Sequence, residues 1–367
     1  MNNFERLEKY LKERKGPNAV IFDIGTRAAR ILVGPKVVPT DDWSKSLFFN
    51  EGILTNLGAE VNRYEKVISL DSSGLIKLID WINRYKYFLN KYGVDKNDII
   101  AVGTAVFRWM KNSKEVISHI QDQTGINLKT LEDSEEAQYS MFSLLICHKF
   151  KRGKCTPPKI KRGDVLLLLD QGGGSMEVSF AIMGSDDGQL ESFDEFGTIA
   201  LRNKFLSDGP DGKIDPGSNR RQIKKQNERI IEYIENRVDQ WEGFSKIKDQ
   251  NIHVYAMGSA ATNVLKNLNN YEMHNKILTK EALLQLVEQN CSKIQDSQQQ
   301  VRTLYKNLQK SKSKNQKDKM DTILVSLYGL PVYIKMMEKF GVKEMRIAGY
   351  GLRYGVYVAK NYYNVSF

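Results

Sequence analysis

The chain has 367 residues, 41% hydrophobic and 27% charged, an ordinary globular balance with length for two domains of about 150 residues. No apolar run reaches the roughly 18 residues of a membrane span, and the charged start MNNFERLEKYLKERKG lacks the apolar core of a signal peptide. Lysine and arginine (55) exceed aspartate and glutamate (44), a net charge of +11 that suits a polyanion but does not choose among nucleic acid, polyphosphate, nucleotide and anionic membrane.

In chain order, residues 3–15 read as a short amphipathic helix. AVIFDIG, Ala19 to Gly25, is an apolar run that predicts a buried strand stopping at a turn. ARILVG at 29–34 predicts a second strand, and with only Thr26, Arg27 and Ala28 between them the pair should be a hairpin. A third strand is expected at 46–54. Residues 72–93 predict a helix, with Ser72 or Ser73 as N-cap and Gly93 closing it. IIAVGT at 99–104 reads as a strand, with a helix following from about Ala105.

The basic stretch 151–163 is a loop, and after it the same grammar returns. DVLLLLD at 164–170 is a strand buried on both faces, followed by Gly172 to Gly174 and a second strand at 177–183. The two Asp-ended strands lie about 147 residues apart, too far for a solenoid and right for two related α/β domains. Residues 207–219 read as a loop, 220–241 and 279–308 as helices, and 321–340 as an apolar helix interrupted near Gly329–Pro331. Six lysines and one aspartate in Lys306–Lys319 predict a solvated loop or a polyanion-steering arm. A short strand opens at Arg346 and stops at Gly349-Tyr350-Gly351.

The strongest chemical signal is Asp170-Gln171-Gly172-Gly173-Gly174-Ser175-Met176-Glu177. Consecutive glycines after a buried strand can turn successive N–H groups one way, a nest for phosphate oxygens. Asp170 and Glu177 would repel phosphate unless a cation lies between, and Mg²⁺ favours carboxylate and water oxygens. Asp23-Ile24-Gly25-Thr26-Arg27 and Gly258-Ser259-Ala260-Ala261-Thr262 are weaker cradles. Glu132-Asp133-Ser134-Glu135-Glu136 precedes a helical stretch, where acids suit the helix dipole or one can serve as a base. Arg108 and Asn112, four apart on an expected helix, can share a face toward an anion. His119, His148, His253 and His274 show no metal-ligand spacing and read as structural or exposed. Cys147, Cys155 and Cys291 form no disulfide framework and no zinc site, so reduced thiols and a cytoplasmic location are expected. Ser175 has no visible histidine partner, and no G-x-x-x-x-G-K-[ST] is present, which argues against a serine hydrolase and a P-loop ATPase.

In order and spacing these pieces resemble the exopolyphosphatase/guanosine pentaphosphate phosphohydrolase (Ppx/GppA) family of the actin–sugar kinase–Hsp70 superfamily. The resemblance runs over roughly residues 18–360 through DIGTRAARILVG (23–34), GTAVFRWMKN (103–112), EDSEEA (132–137), LLLLDQGGGSMEVSF (166–180), FGTIAL (196–201), MGSAAT (257–262) and GYGLRYG (349–355). It implies an α/β fold of two ribonuclease-H-like domains with an active-site cleft between them, of the short two-domain type. The expected division is 1–133, joined by 352–367, and 134–351. The implied activity is Mg²⁺-dependent release of terminal phosphate from polyphosphate by in-line water attack. Hydrolysis of guanosine pentaphosphate is the alternative, and a non-catalytic polyanion sensor is a third reading of another class.

Carried over residue by residue, the resemblance makes Glu136 the catalytic glutamate and Asp170 and Glu177 the acids tied to Mg²⁺ and water. It puts phosphate on Gly25, Thr26, Arg27, Arg108, Gly172, Gly173, Gly174, Ser175, Gly258, Ser259 and Thr262. Three positions depart from the family pattern. Arg27 replaces an asparagine, Ala261 replaces a glycine whose absence is expected to crowd a phosphate contact, and Tyr354 replaces a glutamate. Neither a membrane nor a specific nucleic acid is an expected partner, and a homodimer is compatible with the resemblance.

Overall fold

A strand as apolar as Val20 to Phe22 belongs in the interior of a sheet, covered on both faces. The computed structural model puts it there. The structure describes residues 2–14, 16–36, 48–62, 64–148, 156–186, 188–194, 196–205, 220–263, 274–295 and 328–363. The lysine-rich 306–319, the loop 207–219 and the first part of the loop 151–163 lie outside the described residues. The chain divides into two compact units, Met1–Phe150 with Tyr350–Phe367, and Lys151–Gly349.

In the first unit β1 (Asn18–Ile24) runs antiparallel to β2 (Ala28–Pro35), with Asn18 opposite Pro35 and Ile24 opposite Ala29. The outer side of β2 carries β3 (Phe49–Leu54), and β4 (Ile99–Gly103) and β5 (Leu128–Thr130) follow in parallel on the other side of β1. The sheet order is β3-β2-β1-β4-β5. Helix α1 (Asn3–Glu13) opens the chain behind an Asn2–Glu5 capping box. After the single-turn helix α2 (Leu57–Glu60), α3 (Ser73–Lys91) turns Leu75, Leu78, Ile79, Ile82, Tyr85 and Leu89 inward, at the three- and four-residue spacing of a core-facing stripe.

One stretch departs from expectation. The helix expected from Ala105 is two, α4 (Ala105–Trp109) and α5 (Ser113–Thr124), separated at Met110–Asn112. The expected domain boundary at 133/134 also moves, to 150/151. Helix α6 (Asp133–Cys147) stays with the first unit because it packs along the last helix of the chain, Leu352–Tyr363. Gly355 makes that packing close, since any Cβ there would overlap the Tyr139 carbonyl.

The second unit repeats the plan. The fully buried β6 (Val165–Gln171) pairs antiparallel with β7 (Ser175–Ile182), which pairs with β8 (Gly188–Asp194). On its other side β6 runs parallel to β9 (Ile252–Met257), followed by β11 (Glu344–Ile347) and the edge strand β10 (Ile277–Thr279). Helices α7 (Thr198–Phe205), α8 (Arg220–Asp239), α9 (Gly243–Ile247), α10 (Gly258–Asn263), α11 (Lys280–Gln295) and α12 (Leu330–Lys339) complete it, with α13 (Leu352–Tyr363) returning to the first unit. The interruption expected near Gly329–Pro331 is the start of α12, where proline is tolerated because its missing N–H would be unbonded anyway. No helix among the described residues is long and apolar enough to cross a membrane.

Candidate functional site

The turn between β6 and β7 holds the strongest chemical signal of the sequence. Asp170 and Glu177 stand directly opposite each other on adjacent antiparallel strands, so their side chains share one face of the sheet. Both are buried, at 9% and 2% exposure. Like charges in that position repel, and burial strengthens the repulsion.

Of the three glycines, Gly172 uses its N–H to close the turn on the Ser175 carbonyl at 3.0 Å. The expected run of three open amides is therefore two, and among the described residues the N–H groups of Gly173 and Gly174 have no acceptor. Their orientation has a visible cause. The first turn of α7 points its N–H groups at the loop, with Thr198 bonded to the Gly172 carbonyl (3.1 Å) and Ile199 and Ala200 to the Gly173 carbonyl (2.8 and 3.1 Å). Gly197 leaves no room for a side chain against Gly173 and Gly174, and the Gln171 amide donates to the Phe196 carbonyl at 2.8 Å. FGTIAL is thus the backing of the glycine turn. Ser175 is buried at the start of β7.

The third expected cradle lies beside this one. Gln171 and Gly258 form an isolated parallel bridge, and Gly258 has φ +91°, with a Cβ excluded by the Gln171 carbonyl. The Thr262 hydroxyl donates to the Gly258 carbonyl at 3.0 Å, one turn back along α10. Ser259 contributes backbone at the start of α10, and its side chain lies outside the described residues. The methyl of Ala261, expected to crowd a phosphate contact, packs in the hydrophobic core with that of Ala260.

In the first unit the β1–β2 turn is closed by its own backbone. Gly25 donates to Ala28 (2.9 Å), and the carbonyls of Thr26 and Arg27 accept from Gly58 (2.8 Å) and from Thr55 and Asn56 (3.1 and 2.8 Å). Thr26 and Arg27 are buried. Burial pushes the Asp23 carboxyl up, against the pull of Arg353 and Arg30. Arg353 is itself buried and donates to Asn50 Oδ1 at 2.8 Å.

The acidic cluster sorts into separate tasks. Glu132 and Glu135 form a capping box at the start of α6, and Lys129 bonds Glu135 Oε1 at 2.8 Å. Burial raises the Glu135 carboxyl, but Lys129 and the Glu132 N–H together hold it below its usual value. Asp133 and Glu136 instead face Arg108, whose guanidinium pairs with both, at 2.9 Å to Glu136, and donates to the Leu131 carbonyl at 2.8 Å. Asn112 does not share a face with Arg108. It precedes α5 and binds the backbone N–H and carbonyl of Ile68 at 3.2 and 2.9 Å. His253 is structural, bonded at 2.9 Å to Asp164, at the end of the sheet opposite the glycine turn.

The Ppx/GppA phosphatase family matches residues 55–363, most of the chain. The chain belongs to that family. A Ppx/GppA protein of Aquifex aeolicus has the same fold, with a TM-score of 0.64 and 18% identity over 96% of this chain and 99% of its own. The bifunctional 3-dehydroquinate synthase/phosphatase of Fusobacterium nucleatum is 21% identical over 68% of this chain and 34% of its own. Exopolyphosphatase 1 of Mycobacterium tuberculosis is 26% identical over 39% of each chain. The matches thus span between a third and two fifths of those two relatives' lengths. Two residues that the sequence did not mark as site residues also shape this region: Gln171, whose side-chain amide anchors the glycine turn, and Tyr333 of α12, which bonds the end of β9 (2.6 Å). No local signal marks Tyr333, because its role depends on a contact 76 residues away in sequence.

Proposed function

We propose that this chain is a divalent-cation-dependent phosphohydrolase that removes terminal phosphate from inorganic polyphosphate. The observation that carries the reading is the buried Asp170–Glu177 pair beside the open amides of Gly173 and Gly174. Two buried carboxylates are hard oxygen donors that fit Mg²⁺. The bound ion would neutralise charge on the transferring phosphoryl group. The Gly173 and Gly174 amides bind phosphate oxygens. Glu136 orients the attacking water and takes its proton, and Arg108 holds Glu136 in place. The amides of Gly25 and Gly172 and the Thr262 hydroxyl already donate within the protein, so in this reading they shape the turns. The name of the mycobacterial relative supports polyphosphate as the substrate class.

The test is phosphate release from long-chain polyphosphate with Mg²⁺, wild type beside Glu136→Ala. Release by the wild type and a loss of at least about a hundredfold in the variant is the expected result. Equal rates would remove Glu136 from the chemistry. Release from guanosine pentaphosphate alone would move the substrate to a nucleotide, and release from neither would overturn the enzymatic reading in favour of a polyanion sensor.

A further inference from the structure

Tyr333 is fully buried in α12, and its hydroxyl donates to the carbonyl of Met257, the last residue of β9, at 2.6 Å. Met257 pairs with Asp170 at the end of β6, and the residues that follow, Gly258 and Gln171, form an isolated parallel bridge. Burial, and then Asp170, pushes the phenol well above its usual value, which keeps it a neutral donor. One hydroxyl therefore anchors the end of β9 where that strand pairs with the end of β6. The next residue after each strand end is a glycine of a turn, Gly172 after β6 and Gly258 after β9, and Gly258 sits against Gln171 with no space to spare. A phenylalanine would fill the same volume. The hydroxyl adds only the tie, and a buried hydroxyl is costly unless it is bonded.

We propose that Tyr333 is a positioning residue whose hydroxyl locks the end of β9 and, through the Asp170–Met257 pairing and the Gln171–Gly258 bridge, fixes Asp170 and the turns at Gly172 and Gly258 for binding cation and phosphate. What those ends bind rests on the phosphohydrolase reading; the lock itself does not.

The test compares Tyr333→Phe with Tyr255→Phe, a control that removes another fully buried phenol's bond in β9, the one to Asn275 Oδ1 at 3.0 Å. Two readouts are taken on the intact chain: amide hydrogen exchange of the segments 170–178 and 256–262, and Mn²⁺ binding followed by EPR. Tyr333→Phe is expected to speed exchange in both segments about tenfold, the loss of one buried hydrogen bond. It is also expected to weaken Mn²⁺ binding about tenfold, because the strand end it holds pairs with Asp170. Tyr255→Phe should leave both at wild-type values. Exchange in Tyr333→Phe that matches the wild type, or changes no more than in Tyr255→Phe, would overturn the proposal. A wild type that binds no Mn²⁺ would sink the cation reading instead, and the exchange result alone would then decide for or against the lock.

Discussion

Arg108 Nη1 donates to Glu136 Oε2 at 2.9 Å and to the Leu131 carbonyl at 2.8 Å, so the guanidinium is bound to the glutamate and to the loop that leads into its helix. The carboxylate thereby has one fixed orientation. If Arg108 acts through Glu136, removing both should cost no more than removing the glutamate. Phosphate release by Arg108→Ala/Glu136→Ala is therefore expected to equal that of Glu136→Ala alone. A further drop in the double variant would show that Arg108 has an independent role. In stability the single variant Arg108→Ala should lose about 3 kcal/mol, because it removes one partner of a buried ion pair, and the double variant should recover part of it. Urea denaturation measures both.

Gly258 and Gly341 both have positive φ, +91° and +63°, but only Gly258 is crowded, by the Gln171 carbonyl. Gly341 has open space at its Cβ position. Gly341→Ala should therefore cost about 1 kcal/mol of backbone strain. Gly258→Ala adds a clash with the backbone of β6 and should cost about 3 kcal/mol. The difference in urea midpoints is the measurement, and equal costs would mean that the β6–β9 contact yields easily.

The sheets were legible because β1 and β6 each carry an apolar run ahead of an aspartate, and each is followed within a few residues by a glycine turn and a second apolar stretch. The glycine turn itself was legible as composition. Its geometry was not, because the partners that hold the turn, Thr198, Ile199 and Ala200, come from a helix about twenty-six residues on. Arg108 and Asn112 do not share the expected face, for a related reason. A four-residue spacing implies a shared face only on an unbroken helix, and the chain breaks at Met110, where Asn112 finds the backbone of Ile68. The strand β8 was not foreseen, since its alternation in GQLESFD is interrupted by charge and its pairing with β7 supplies the order.

The start of α3 shows the same long-range substitution of a local rule. Ser72 occupies the N-cap position but makes no side-chain cap bond. Glu60 does the capping from the end of α2, with Oε1 accepting from Ser73 Oγ at 2.6 Å and Oε2 from the Gly74 N–H at 2.8 Å. Glu60→Ala is expected to cost about 1 kcal/mol in urea denaturation, the usual worth of a cap, and Ser72→Ala close to nothing. The reverse order would restore Ser72 as the cap.

Asp164 predicts how acid acts on the second unit. Its carboxylate accepts from the Lys161 N–H and from His253, each at 2.9 Å, and these bonds, the backbone one first, lower it from 3.8 to about 2. A folded-state value below the unfolded one means that the folded carboxylate stabilises the protein fully above about pH 4, and that this contribution is lost as the pH falls toward 2. Asp164→Asn removes the titration. Its melting temperature should lie below that of the wild type at pH 6, and the gap should close as the pH drops from about 4 to 2. A gap that stayed constant across that window would show that Asp164 titrates alike in the folded and unfolded chains.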